Sequence, residues 1–166
     1  QTESAGTPVA FHFGSRYPFG YGLSYTQFEF SDLVIKESAI DIDTGEIRVS
    51  CKVTNTGARK GIIVPRLYIR DVLASVVRPV KELKAFGRVE LDAGKSIEAT
   101  FCVPVDMLGF TGPEGVRVIE PGVFELQIGA SSADIQLRGT VEVIGKKRKL
   151  GKNWNMFSRF QAAIEC

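Results

Sequence analysis

The chain is short of the residues that most metal and nucleophilic chemistry needs. It has one histidine, three cysteines and one tryptophan in 166 residues. No Cys-x-x-Cys pair occurs, and His12 stands alone, so no zinc site is expected. Ser131-Ser132 has no histidine base near it in sequence, which leaves a Ser-His-Asp triad dependent on His12 alone. No apolar run approaches the ~20 residues of a membrane helix. The first ten residues lack the basic start and apolar stretch of a signal peptide, so no targeting segment can be read there. Net charge is only +2, too little to argue for nucleic acid as a partner of the whole chain. With a mean hydropathy near zero, the composition is that of a globular domain that buries a core.

What is present is β patterning. In Glu46–Asp71, Ile47, Val49, Cys51 and Val53 alternate with Glu46, Arg48, Ser50, Lys52 and Thr54. That period of two marks a half-buried strand. Asn55-Thr56-Gly57 breaks the run, as residues tolerant of left-handed backbone do. A second apolar run from Ile62 to Ile69 follows, and the two are expected to pair as central strands. Further alternations are Phe28/Phe30, then Ile97/Ala99/Phe101/Val103, Phe124/Leu126/Ile128 and Ile135/Leu137/Val141/Val143. Between residues 80 and 91, Leu83, Phe86, Val89 and Leu91 are the expected core contacts. Turn signals separate the runs, as at Asp92-Ala93-Gly94-Lys95 and Glu120-Pro121-Gly122. About seven short strands with no helix before residue 150 predict an all-β fold, an antiparallel sandwich of the fibronectin type III or immunoglobulin type. Cys102 is out of phase with its strand's apolar face, which argues against a bridge to Cys51.

Two segments depart from this pattern. Residues 1–26 hold Phe11, Phe13, Tyr17, Phe19, Tyr21 and Tyr25 among glycines and Pro18, too broken for a long strand and too apolar for a free linker. Three readings stand: a plug on the chain's own sandwich, a strip that packs on another domain of a longer protein, or an aromatic surface for sugar rings. Residues 27–144 are the sandwich. Residues 145–166 begin with Lys146, Lys147, Arg148, Lys149 and Lys152, and place Trp154, Phe157, Gln161 and Ile164 on one face at helical spacing, with Phe160 beside them. A short amphipathic helix docking on this or a neighbouring domain is expected; contact with an anionic surface, or disorder, are the alternatives.

Paired carboxylates for glycoside chemistry are not evident. Asp71, Glu82, Asp92, Asp106, Glu114 and Glu120 qualify by type only, and most fall in turns or on exposed faces. No cofactor is implied. The loop with Arg78, Lys81 and Glu82 is a second candidate contact, against the plainer reading of surface ion pairs or loop-anchoring hydrogen bonds.

Six stretches in order carry a resemblance: YPFGYGLSYTQFEF (17–30), VTNTG (53–57), LYIRD (67–71), RPVKELKAFGRVEL (78–91), EPGVFELQIGASS (120–132) and DIQL (134–137). Together they resemble the C-terminal fibronectin type III-like domain of family 3 glycoside hydrolases, the β-glucosidases and β-xylosidases. The resemblance runs from about residue 17 to 144. It implies that the catalytic carboxylates lie in two other domains, and that this chain holds none. It further implies that the aromatic strip docks on those domains, in the same chain or in trans, with polysaccharide as a further partner. Neither nucleic acid nor a membrane span is expected. The compartment stays open, cytoplasmic or exported. A free carbohydrate-binding module, or an interaction domain using the tail, is the competing expectation.

Overall fold

The computed structural model describes residues 26–72, 81–112 and 114–164. The strands in chain order are β1 (Phe28–Ile35), β2 (Ala39–Asp41), β3 (Glu46–Asn55), β4 (Gly61–Ile63), β5 (Arg66–Asp71), β6 (Glu82–Phe86) and β7 (Val89–Leu91). They continue with β8 (Ser96–Pro104), β9 (Phe110–Thr111), β10 (Arg117–Ile119), β11 (Gly122–Gly129), β12 (Ile135–Ile144), β13 (Arg148–Lys149) and β14 (Arg159–Ile164). Among the described residues one 3-10 turn covers Val105–Leu108.

Two sheets face each other. One has the order β1-β3-β8-β14 and the other β2-β12-β11-β5-β6, with β4-β7 and β13-β10-β9 as small additions. The pairings are antiparallel except β2 with β12, which is parallel. This is the all-β sandwich expected from the alternation. Ile47, Val49, Cys51 and Val53 all point into the core, where Ile97, Ala99, Phe101 and Val103 meet them from β8. The opposite sheet contributes Leu67, Ile69, Phe124, Leu126, Ile128, Val141 and Val143. Phe101 is fully buried at the centre, and burial of such a ring stabilises by roughly 3 kcal/mol.

Several expectations need correction. The two apolar runs of Glu46–Asp71 do not pair with each other. β3 lies between β1 and β8, whereas β5 lies between β11 and β6 in the other sheet. The intervening segment carries the chain across the sandwich, which a hairpin reading of adjacent runs overlooks. Asn55 and Gly57 do not adopt positive φ; among the described non-glycine residues only Asp32 does, at 52°, where the β1–β3 register shifts. Phe86 is 62% exposed, and Ala85 takes the core position, because a bulge between Leu67 and Tyr68 changes which β6 side chains face inward. Cys102 does sit on the outward face, opposite in sense to Cys51, and both thiols are free. It is nevertheless buried, flanked in register by Arg48 on β3 and Arg159 on β14.

The largest correction is the tail. Residues 159–164 form no helix. They are an extended strand paired antiparallel to β8, from Arg159 opposite Cys102 to Ile164 opposite Ile97. A helix would satisfy its own backbone but leave the β8 edge open. The strand satisfies that edge and inserts Phe160 beside Phe101. The helical spacing of Trp154, Phe157, Gln161 and Ile164 is therefore not used as a face.

Candidate docking corner and C-terminal strap

The aromatic residues Phe11, Phe13, Tyr17, Phe19, Tyr21 and Tyr25, and also Arg78, lie outside the described residues. The described chain begins at Thr26, which is anchored at the end of β3. Thr26 Oγ1 donates to Asn55 Oδ1 at 2.7 Å, and Thr56 N donates to Gln27 O at 2.9 Å. A side chain on Gly57 would collide with Thr26 Oγ1, and one on Gly61 with Thr26 Cγ2, so both glycines are needed for this close approach.

Asn55 is the hub of that corner. Its side chain is completely buried at the end of β3. Nδ2 donates to Arg59 O at 2.8 Å and to Leu91 O at 3.0 Å. Oδ1 accepts from Thr26 Oγ1 and from Gly57 N, the latter at 3.1 Å. Its backbone N–H donates to Lys95 O and its carbonyl accepts from Gly94 N, each at 2.9 Å. One residue thus ties together Thr26, the 56–60 crossover and, through its backbone, the 92–95 turn, with every donor and acceptor of the side chain used. Sequence reading treated Asn55 as a turn former. The available signal was its position: a polar residue continuing the buried phase of Ile47, Val49, Cys51 and Val53.

At the other contact loop, Lys81 Nζ donates to Ser132 O and lies 5.4 Å from the Tyr68 ring centroid. Arg66 Nη1 donates to Val64 O at 3.0 Å and also to Ala130 O. Two cations therefore hold the 130–134 turn, which closes on itself through Asp134 N donating to Ser131 Oγ at 3.1 Å. Glu82 pairs with Lys84 at 2.7 Å, and Lys84 Nζ donates to Met107 O at 2.6 Å. Lys81 and Glu82 consequently serve separate anchors. Tyr68 and Gln127 are cross-strand neighbours on the outward face, both buried, and burial pushes the Tyr68 hydroxyl pKa up.

The tail is strapped to the body residue by residue. Arg148 reaches Asp106 and, at 3.5 Å, Asp43. Leu150 N donates to Arg117 O at 2.9 Å. The Arg117 guanidinium lies 4.1 Å from the Trp154 ring centroid, a cation–π contact on one face of the indole. Asn155 N donates to Asp106 Oδ2 at 2.8 Å. Phe157 is then exposed, while Phe160 packs on Phe101 with ring centroids 5.3 Å apart. Arg159 closes the strap on Glu46 at 2.7 Å, and Glu46 also holds Arg48 at 2.8 Å. Carboxylates here act as ion-pair partners: Glu46 serves two arginines, Glu125 serves Arg70 and Arg138, and Asp106 serves Arg148. A shallow groove of about 320 Å³ lies beside β10, lined by Gly112, Glu114, Val118, Lys147 and Lys149. Its lysines face Glu120 and Glu114, and exposed pairs of this kind contribute little. Among the described residues no group of three His, Cys, Asp or Glu side chains is placed to hold a metal.

Comparison with known proteins agrees with this architecture. Residues 63–132 match the family described as "Fibronectin type III-like domain". The chain is 47% identical over 126 residues to the β-glucosidase BoGH3A of Bacteroides ovatus, covering 75% of this chain and 16% of that protein. It is 40% identical over 116 residues to a β-xylosidase of Formosa agariphila, covering 70% of this chain and 16% of the relative. The crystal structure of β-glucosidase 3B from Thermotoga neapolitana superposes with a TM-score of 0.73 at 38% identity, over 84% of this chain and 19% of that one.

The sandwich is a fibronectin type III-like domain of the family 3 glycoside hydrolase kind.

The chain spans about a sixth of the length of the curated relatives it matches. The fibronectin type III-like match ends at residue 132, on the turn that Arg66 and Lys81 hold. The strap formed by β13, Trp154 and β14 lies beyond the matched segment of the family model and is attached to the domain by the contacts described above.

Proposed function

We propose that this fibronectin type III-like domain is the non-catalytic accessory module of a family 3 glycoside hydrolase. It packs against the catalytic domains through the aromatic segment 11–25 and leaves the sugar chemistry to them. The observation that carries this reading is the disparity of coverage: three-quarters of this chain matches a β-glucosidase of which it spans only 16%. The described carboxylates support it, since Glu46, Glu125 and Asp106 are engaged by arginines within the scaffold. A carboxyl poised as a glycosidic acid needs a partner carboxylate across a cleft. The Asn55 corner supports the docking half, because it anchors Thr26 and Gln27, the residues that directly follow the aromatic segment.

The purified chain should not release nitrophenol from aryl β-glucosides or β-xylosides. It should restore heat stability to catalytic domains expressed without their own module, and lose that effect when Tyr17, Phe19 and Tyr21 are replaced by Ser. Turnover that disappears on replacing one of this chain's own carboxylates would overturn the non-catalytic reading. Retardation on a β-glucan gel without any effect on catalytic domains would replace docking with polysaccharide binding. An immunoblot of source cells separates a module within a large polypeptide from one of 18.2 kDa acting in trans.

A further inference from the structure

β14 closes the β8 edge and presents an edge of its own. Asn55 N donates to Lys95 O at 2.9 Å, one step beyond Thr54 opposite Ser96, and this sets the phase of the β3–β8 ladder. Val53 with Ile97, Cys51 with Ala99 and Val49 with Phe101 are then the hydrogen-bonded pairs. The alternate β8 residues Glu98, Thr100 and Cys102 turn their backbone groups to Ala163, Gln161 and Arg159. Phe160, Ala162 and Ile164 therefore direct their N–H and C=O groups away from β8, and among the described residues no strand lies beyond β14. Residues 160–164 hold no proline and no charge, and the β14–β8 register is unbroken, so none of the usual devices blunts this edge. Ile164 shares the core-facing side of Phe160, yet it is 78% exposed.

The chain ahead of Thr26 holds a segment that fits. Between Pro8 and Gly14, Val9, Phe11 and Phe13 alternate with Ala10 and His12, a short run of strand patterning bounded by turn residues. Its apolar side matches the side of Phe160 and Ile164, and its other side matches that of Gln161 and Ala163. The geometry permits the contact. Thr26 is held at Asn55, two residues beyond Val53, and Ile164 lies across Ile97 from Val53, so both stand at the same end of the sheet. The outer side of β14 is three strand spacings from β3, about 14 Å. Residues 14–25 can span up to about 40 Å. A segment tethered in the same chain meets the edge at an effective concentration on the order of millimolar, which a second copy reaches only in concentrated solution.

We propose that Val9–Phe13 adds to the outer edge of β14 in the same chain as a further strand, with Val9, Phe11 and Phe13 on the side of Phe160 and Ile164. The strand takes up the outward backbone groups of Phe160, Ala162 and Ile164 and closes the edge to other chains. Residues 14–25 are then tied to the domain at both ends, which presents Tyr17, Phe19 and Tyr21 as a loop and narrows the docking residues to Tyr17–Tyr25. That last consequence rests on the docking reading above; the strand addition does not.

Amide exchange read residue by residue by NMR on the full chain tests the proposal. Gln161 and Ala163 face β8 and serve as the internal control; Phe160 and Ala162 face outward and are protected only if a strand lies beyond them. All four should exchange slowly in the unmodified chain, at a rate that does not change on dilution. Replacing Phe11 and Phe13 together by Ser, outside the described sandwich, should speed Phe160 and Ala162 by about tenfold or more and leave Gln161 and Ala163 unchanged. Fast exchange at Phe160 and Ala162 in the unmodified chain overturns the proposal, whether or not the control pair is slow, since an added strand cannot outlast the one it pairs with. Protection that fades on dilution assigns the edge to a second copy and overturns it too. So does protection that survives the double substitution, since another segment would then be the occupant. Docking is read separately, by the heat stability of catalytic domains and its loss when Tyr17, Phe19 and Tyr21 become Ser, so either reading can fail without the other.

Discussion

Phe160 occupies the space that a side chain on Gly87 would need: a β-carbon built at Gly87 would lie 1.9 Å from the Phe160 ring. The strap and the β6–β7 connection are thus fitted to each other. Gly87→Leu should expel the ring and release β14 while the sandwich stays folded. Amide exchange should then lose protection at residues 159–164 and in the β8 groups facing them, but not in β3 or β11. Phe160→Ala should produce the same pattern at a cost of about 2 kcal/mol, roughly half that for a fully buried ring. Protection unchanged in both variants would show that backbone pairing alone holds the strand.

Asn55→Ala should be among the most destabilising polar substitutions. It strands the Gly57 N–H and the carbonyls of Arg59 and Leu91 in a buried corner. The expected loss is about 3 kcal/mol, or about 10 °C in Tm for a domain of this size. Thr26→Val removes a single donor to the same amide and should cost about 1 kcal/mol. Equal losses from the two would deny Asn55 its role as the hub.

Cys51 makes stability sensitive to alkali. Burial pushes its thiol pKa up from 9.0 to about 12. The unfolded thiol ionises first, so this contribution is complete below about pH 8.5 and declines as pH climbs toward the folded value. Urea unfolding at pH 7.5, 9 and 10 should show a falling midpoint that Cys51→Ala flattens. In native protein a thiol reagent should modify Cys51 only at the rate of unfolding.

The 41–45 turn answers to acid instead. Backbone N–H groups of Thr44 and then Asp43 donate to Asp41 Oδ1 and lower the Asp41 pKa below its ordinary value. The stabilisation is present above the ordinary carboxylate range and lost as pH falls through the lowered folded value. Asp41→Asn should remove that pH dependence, read as NMR shifts of the Thr44 and Asp43 amides between pH 5 and 2.

Much of the sandwich was legible because alternation reports directly on a half-buried strand. Ile47 to Val53, Ile97 to Val103 and Phe124 to Ile128 fill the positions their spacing predicts. Alternation does not say which strand lies next to which, hence the mistaken pairing of the two runs in Glu46–Asp71. Phe86 was misplaced because a bulge between Leu83 and Ala85 breaks the phase. The tail misled for a different reason. Six residues with two alanines satisfy helical spacing as well as strand spacing, and only the open β8 edge decides between them. Asn55 was visible as part of a motif, yet its role rests on Leu91, Lys95 and Thr26, which lie far from it in sequence.

The parallel pairing of β2 with β12 bears on how the domain carries mechanical load. Ala39, Ile40 and Asp41 lie in register with Glu142, Val143 and Ile144, and the two strands run the same way. Tension drawing the chain before β2 away from the chain after β12 acts along both strands in opposite directions. The pairs are loaded in shear and must break together, whereas an antiparallel pair pulled at adjacent ends opens one rung at a time. Where tension reaches these two strands, it therefore meets a short clamp that resists as a unit.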